Sequence, residues 1–461
     1  MANNHPTSTP KLTRRGFLGA SAAAAVAPYI VPSTVFGATA PSNRITLGFV
    51  GLGNQGMHVM WNFLQHKDCQ GVAVCDVNRE SGNYKRVDQV CGREPARRTV
   101  DEHYAKQSPS GSYKGCAAYN DFREMLARDD LDAVVIATPD HWHGVMTVLA
   151  AEAGKDIYCE KPLSLTVRQG RMMADAVERH GRVLQCGSHQ RSDPVTRLVC
   201  ELARNGYVGD IKSIETHVGG VDLSPDPGPG WEPMPIPEGF DYDLWLGPAP
   251  AAPYHLARCL YRYRFNYDYS GGQVTNWGAH SLDMAQWALG RDDSGPEAVE
   301  YVEADFPPAG SVYNVATRSV FHLHYPGGIK VVSKTADPAA FIAIEGTEGK
   351  VAAGRGIKSL RTEPASLAGV QLSEDQVLST STDHLQDFLD CVKSRGVPAA
   401  SVEVGHRSAT ACHLGNIAIR LRDTLAWDAA AERFTGRRSE EANALLSRDL
   451  RDPWDEALGL S

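Results

Sequence analysis

Missing from this sequence are blocks of lysine and arginine, C-x-x-C cysteine pairs and an apolar run of membrane-spanning length. Without a basic stripe there is no electrostatic footprint for nucleic acid, and a formal net charge of −9 at pH 7 points the same way. The N-terminal apolar stretch, Phe17 to Val31, falls short of the roughly 20 residues that a transmembrane helix needs. No cysteine follows that stretch, so no lipid anchor is expected there. Ten cysteines without a paired spacing argue against a disulfide framework. Cys75, Cys159 and Cys186 fall in or beside predicted buried strands and read as small apolar core residues. No pair of opposed carboxylates of the kind used by two-acid hydrolases can be identified, and no internal repeat is apparent. What remains is enough chain for two soluble globular domains of roughly 100–200 residues each.

The first 40 residues have three parts. A polar start ends in Arg14 and Arg15, the apolar run follows, and small residues close it at "VFGATA". Thr13-Arg14-Arg15-x-Phe17-Leu18 resembles the twin-arginine signal, whose pathway carries proteins already folded. Residues 1–40 are therefore read as an export signal, cleaved between Gly37 and Ala40. The expected destination is the periplasm or another extracytoplasmic space. Folding then happens first in a reducing compartment, which agrees with unpaired cysteines.

"RITLGFV" (44–50) is a short apolar strand, "GLGNQG" follows it, and the helical pattern "MHVMWNFLQH" leads to a second strand, "GVAVCDV" (71–77). In that context a G-x-G-x-x-G is a dinucleotide fingerprint. Gly51 allows the tight turn, Gly53 the approach of a pyrophosphate, and Gly56 close helix packing, with Asn54 and Gln55 completing the loop. The helix N-terminus offers N–H groups and a favourable dipole to phosphate. Asp76, twenty residues beyond Gly56, can accept from both ribose hydroxyls and would repel a 2′-phosphate. NAD is favoured over NADP, although Arg79 lies nearby.

Alternation of strands and helices continues through "DAVVIATP" (132–139), "DHWH", a helix "GVMTVLAAEAG", "DIYCEKP" (156–162) and "RVLQCG" (182–187). This predicts a parallel, doubly wound sheet over residues 41–187, with ligands at the carboxyl ends of its strands. Thr138, Pro139 and Glu160 sit at such ends and are expected at the cofactor. Residues 188–461 form a second α/β domain, where "IKSIETHVG", "VATRSVFHLHYP", "GIKVVSKT" and "FIAIEGTEGKV" are strand-like around a "PGG" turn. The proline-rich stretch 223–256 cannot be regular, and its tryptophans, with the tyrosines of "YRYRFNYDY", suit a sugar-binding surface.

"GLGNQG", "ATPDHWH", "CEKP" and "GGQVTNWGAHSLD", in this order and spacing, resemble the Gfo/Idh/MocA family, especially its exported twin-arginine branch. The resemblance also covers "HLQDFLDCVKSRGVPAASVEVGHRS" and "LAWD". It implies a Rossmann domain, then an α/β domain with a large, mostly antiparallel sheet whose open face makes homo-oligomers. It implies NAD(P)-dependent chemistry on sugars and cyclitols, with Lys161 and His280 as the proton-transferring pair and His143 in the cofactor pocket. Burial and a positive nicotinamide both favour a neutral lysine, and histidine titrates near neutrality unaided.

One departure from the family stands out. An aspartate usually precedes the histidine by four residues, and here that position is Asn276. An amide can orient an imidazole but cannot stabilise its charged form, so either His280 is a weaker base here or Lys161, Tyr267 or Asp283 supplies the missing function. Arg191, Tyr267 and Asp283 are expected on the substrate side. The pairs His141/His143 and His322/His324 find no acidic or cysteine partner at a known spacing, so no metal site is expected. The leading reading is an exported oxidoreductase acting on a carbohydrate or glycoside hydroxyl, with tightly bound and internally recycled NAD. The alternative, also implied by the resemblance, is an NAD-dependent glycosidase that oxidises, eliminates, hydrates and re-reduces.

Overall fold

The computed structural model describes residues 43–458 apart from 83, 85–88, 222, 224–225, 337–340, 355–358 and 380. The export signal read over residues 1–40 lies outside the described residues. Six strands build the first sheet: β1 (Ile45–Val50), β2 (Cys69–Cys75), β3 (Ala117–Tyr119), β4 (Ala133–Ile136), β5 (Asp156–Cys159) and β6 (Leu184–Cys186). All neighbours are parallel, in the order β3-β2-β1-β4-β5-β6. The chain winds outward in one direction from β1 and in the other from β4. A crevice therefore opens at the carboxyl ends of β1 and β4, where the winding reverses.

The apolar runs explain why these strands are central. β4 is Ala-Val-Val-Ile and fully buried, as a strand covered on both faces must be. The helix Asn54–Phe63 lays Gly56, Val59, Met60 and Phe63 on the sheet, a three-to-four residue spacing. The helix Asp140–Glu152 starts four residues before the stretch "GVMTVLAAEAG" read as helical, so "DHWH" forms its first turn rather than a loop.

The second sheet has nine strands: β7 (Ile211–Val218), β8 (Ala298–Asp305), β9 (Arg318–Tyr325), β10 (Ile329–Thr335), β11 (Ile342–Gly346), β12 (Lys350–Ala353), β13 (Arg361–Glu363), β14 (Thr424–Asp428) and β15 (Arg433–Thr435). Their order is β13-β12-β11-β7-β10-β9-β8-β14-β15, antiparallel except between β7 and β10. Strand alternation divides this sheet into two faces. Val299, Phe321, Leu323 and Val331 are buried together with Leu282, Leu414 and Ile417 of the helices Gly278–Ala288 and Val402–Leu421. The opposite face carries Glu215, Lys334, Glu300, His322 and His324. Here the structure corrects one expectation. The His322/His324 pair does have an acidic partner, Glu300, which stands opposite His322 in the β8–β9 register. A cross-strand neighbour has no signature in sequence spacing.

The carboxy-terminal segments return to the first sheet. Leu385, Phe388 and Leu389 of the helix His384–Ser394 pack into the same core as Phe63 and Tyr158. Trp454 packs edge-on against Trp142 on the other side, with ring centroids 4.7 Å apart. None of the ten cysteines is in a disulfide, and nine of them are buried.

Candidate active site

At the carboxyl ends of β1, β4 and β5 lies a cleft of about 1510 Å³. Single small-molecule sites usually occupy roughly 300–1,000 Å³, so this cleft has room for a dinucleotide and a second reactant. Its walls include Gly51, Gly53, Asn54, Gln55, Gly56, Asp76, Thr138, Pro139, Glu160, Lys161, Asn276 and His280.

The nucleotide end is shaped by backbone. Gly51 sits at φ +82°, and a Cβ there would fall 2.6 Å from the Thr138 nitrogen. A Cβ on Gly56 would lie 1.8 Å from the Gly51 carbonyl oxygen, so only glycine lets the helix come this close. Gly53 begins the helix Asn54–Phe63 without a side-chain cap, which leaves that terminus suited to an anion. Asp76 directly follows β2 and accepts from Leu52 N at 2.5 Å and Asn78 N at 2.7 Å. Burial pushes its carboxyl up to about 6, against the downward pull of those N–H groups and Arg93. Asn54 donates to Gln89 at 2.6 Å, and Gln55 donates to Glu160 at 3.0 Å. The cradle, the uncapped helix and the strand-end acid together fit a dinucleotide.

At the other end, Lys161 Nζ donates to the side-chain oxygen of Asn276 at 2.9 Å and to its backbone carbonyl at 3.1 Å. Asn276 in turn donates to Gln273 Oε1 at 2.8 Å, and Gln273 donates to the Gly220 carbonyl at 2.6 Å. A chain of amides thus fixes the lysine head group across the cleft. The family resemblance implied Asn276 as the residue beside His280; its defined hydrogen bonds reach Lys161 and Gln273. His280 stands on the helix Gly278–Ala288, buried but on the cleft wall, with its ring 6.3 Å from that of Phe341.

The remaining expectations are corrected. His143 does not line the cleft. Its Nδ1 lies 2.8 Å from the Pro162 carbonyl and its Nε2 3.0 Å from that of Thr138, so it ties together two strand-end turns that do. Nε2 of its neighbour His141 faces the Trp245 carbonyl at 3.0 Å, and burial pulls this histidine down to about 3. Arg191 and Asp283 form a buried ion pair with contacts of 2.8–3.1 Å, extended by Asp292 and Ser408. They tie segments of the domain core together, and neither lines the cleft. Burial alone would lower the Arg191 guanidinium; Asp283 and Asp292 outweigh it and raise it. Tyr267 is also elsewhere, its ring between the guanidiniums of Arg420 at 3.7 Å and Arg448 at 3.8 Å.

One group on the cleft wall, His189, had escaped sequence reasoning, and a second, Asp140 of "TPDHWH", was expected at a strand end without its partners. His189 follows β6, with Nε2 2.9 Å from the Tyr158 hydroxyl and 3.9 Å from Glu160; burial lowers its pKa although Glu160 opposes this. Its place at a strand end was the available signal. Asp140 accepts from Tyr263 at 3.1 Å and from Ser270 at 2.5 Å, joining the aromatic segment to the first sheet. Nothing in local spacing connects residues 123 and 130 positions apart. Of the proline-rich stretch, Phe240, Leu244 and Trp245 reach the cleft, while Trp231 packs against Arg258 and His255.

A cleft that cradles a dinucleotide at one end and presents a held lysine at the other divides its labour as a nicotinamide-dependent oxidoreductase does. Comparison with known proteins agrees. The description "Oxidoreductase family, NAD-binding Rossmann fold" matches residues 45–188, and "Oxidoreductase family, C-terminal alpha/beta domain" matches residues 229–456. The chain belongs to the Gfo/Idh/MocA oxidoreductases, and its cofactor is NAD. It is similar to an alpha-N-acetylgalactosaminidase from Shewanella oneidensis, 29% identical over 183 residues, 39% of this chain and 36% of that protein. The match thus spans well under half the length of that relative. Among solved structures it is similar to an aldose–aldose oxidoreductase from Caulobacter crescentus, with TM-score 0.56, 20% identity and coverage of 83% of this chain and 99% of the other. It is also similar to the WlbA dehydrogenase from Bordetella pertussis in complex with NADH and UDP-GlcNAcA, with TM-score 0.58, 19% identity and coverage of 84% and 99%.

Proposed function

We propose that this enzyme oxidises a hydroxyl group of a carbohydrate or glycoside outside the cytoplasm, and that its NAD stays bound and is recycled within the site by returning the hydride either to the same sugar or to a second substrate. The observation that carries the reading is the shared cleft: Lys161, held by Asn276, and His280 stand in one cavity with the glycine loop and Asp76. Bound NAD supplies a hydride acceptor for the carbon that bears the hydroxyl. Lys161 and His280 take up and pass on the hydroxyl proton, a role worth roughly 10²–10⁴ in rate for a positioned acid or base. Trp245, Tyr263 and Trp277 line the same cleft and offer flat apolar faces to a sugar ring. The similarity to proteins named for aldoses and for a sugar nucleotide supports the substrate class.

Retention follows from the export expectation. Outside the cytoplasm there is little NAD to rebind, so activity lasting hours needs an off-rate of roughly 10⁻⁴ per second or less. With association at about 10⁵–10⁷ M⁻¹s⁻¹, Kd is about 10⁻⁹–10⁻¹¹ M, or roughly −12 to −15 kcal/mol, within the non-covalent range. Denaturing the purified protein should release close to one NAD(H) per chain. An empty protein that turns over only with added NAD overturns retention. Lys161→Ala and His280→Ala at wild-type rates overturn the assignment of the reacting groups.

A second reading is favoured by the relatives named glycosyl hydrolase family 109 and alpha-N-acetylgalactosaminidase. Oxidation of the sugar acidifies the neighbouring C–H, the aglycone leaves by elimination, water adds, and the hydride returns. A screen of glycosides following reduced nicotinamide and free aglycone together separates the two. Net reduction of added acceptor supports the first; aglycone release without net redox change supports the second.

A further inference from the structure

We propose that Glu300, His322 and His324 form a binding site for a late first-row divalent cation, zinc in the first instance, on the open face of the second sheet. The site is separate from the catalytic cleft, whose walls include none of the three. His322 and His324 lie two residues apart on β9, so the strand period puts both on one face, while Leu323 between them is buried on the other. Glu300 stands opposite His322 on β8. His322 Nδ1 and His324 Nε2 each lie 2.9 Å from the same oxygen, Glu300 Oε2. One ligand atom from each residue falls within 4.8 Å of the others.

The donor set selects the ion. Two imidazole nitrogens and one carboxylate oxygen suit zinc, copper or nickel, whereas calcium and magnesium prefer all-oxygen shells. Tetrahedral zinc with bonds near 2.1 Å separates its ligand atoms by about 3.4 Å. The pairs seen at 2.9 Å need to open by about half an ångström, which rotation of the glutamate provides because its side chain is 37% exposed. His322 is the least exposed of the three in the single chain at 18%, and His324 the most at 40%, and three protein ligands leave a fourth coordination position for water or another donor. Neighbouring charges leave the site available. Lys334 is engaged by Glu215 at 2.8 Å, and Lys330, opposite His324 in register, is exposed.

The test uses the untagged, NAD-loaded full chain, dialysed against zinc chloride and then counted for zinc per chain by plasma mass spectrometry. The expected result is one zinc per chain in the wild type. Loss of even an outer-shell partner costs a metal site about 10–100-fold in affinity, so Glu300→Gln, His322→Gln and His324→Gln are each expected to weaken binding at least about tenfold. NAD content and circular dichroism should stay unchanged, because the three side chains touch neither the cleft nor the buried core. Should one variant misfold, the other two still report. A wild type that retains no zinc, or variants that retain as much as it does, overturns the proposal.

Discussion

Replacing Asn276 by aspartate tests the reacting end of the cleft most directly. The lysine nitrogen lies 2.9 Å from the amide oxygen that would become a carboxylate oxygen. At that distance an effective dielectric constant of 20 gives a gross attraction of about 6 kcal/mol. Much of it is lost. The new carboxylate is desolvated, and the hydrogen bond from Asn276 to Gln273 Oε1 at 2.8 Å becomes a contact between two acceptors until the Gln273 amide turns. That turn costs the bond from Gln273 to the Gly220 carbonyl. Opposite charges in such contact commonly shift a pKa by about 1–3 units, or roughly 1.4–4 kcal/mol at 1.36 per unit.

The sign follows from the charge. A carboxylate favours protonated Lys161, so the lysine pKa rises and the lysine gives up its proton only at higher pH. If neutral Lys161 accepts the hydroxyl proton, the rising limb of the rate of nicotinamide reduction against pH moves up by about 1–3 units. The plateau at alkaline pH is largely retained. Single-turnover reduction of the bound nicotinamide, measured from pH 5 to 10 at saturating substrate, isolates the chemical step from product release. Asn276→Ala serves as the control: it removes the lysine's side-chain acceptor, keeps the backbone one and adds no charge, so its limb does not move upward. A limb for Asn276→Asp that superimposes on the wild-type curve, with NAD content intact, refutes the role given to Lys161.

Gly56→Ala should yield protein without bound nucleotide, because the added methyl group falls 1.8 Å from the Gly51 carbonyl oxygen and forces the loop open; NAD released on denaturation is the readout. Asp76, pushed up to about 6 by burial against its N–H partners and Arg93, accepts from ribose best when ionised. NAD retention during dialysis should therefore hold at pH 7.5 and fall as pH drops through 6, and equal retention at pH 5 would contradict it. Phe388→Ala should destabilise the protein by about 3–5 kcal/mol in denaturant melts, since the ring is fully buried and meets Phe63 and Tyr158 at centroid distances of 6.1 and 5.8 Å.

Legibility in the sequence followed the range over which each feature is encoded. The glycine loop, its helix and Asp76 occupy one continuous stretch, and each has a backbone reason that survives without tertiary context. The strand ends at Thr138 and Lys161 were readable for the same reason, because apolar runs stop where the polar residues begin. β3 and the helix Arg93–Ala105 were not singled out: a three-residue edge strand and a charged helix leave little periodicity to read.

Side-chain partnership is where sequence reasoning failed, and the failures share a cause. Arg191 and Asp283 are 92 positions apart, and charged residues near a reacting motif invite a substrate role. Only packing reveals that each is consumed by the other. Tyr267 carries the same lesson, since its ring is taken by two arginines that come from beyond residue 400. Glu300 is the converse. It looked like one more exposed acid, and β8–β9 pairing brings it to two histidines that seemed partnerless. The helix His384–Ser394 reads as C-terminal by position, yet its apolar face completes the core behind β1 and β5. Its return closes the nucleotide-binding sheet from a distance of more than 300 residues in the Gln386–His66 contact. That sheet is therefore completed only when the C-terminal part of the chain is in place.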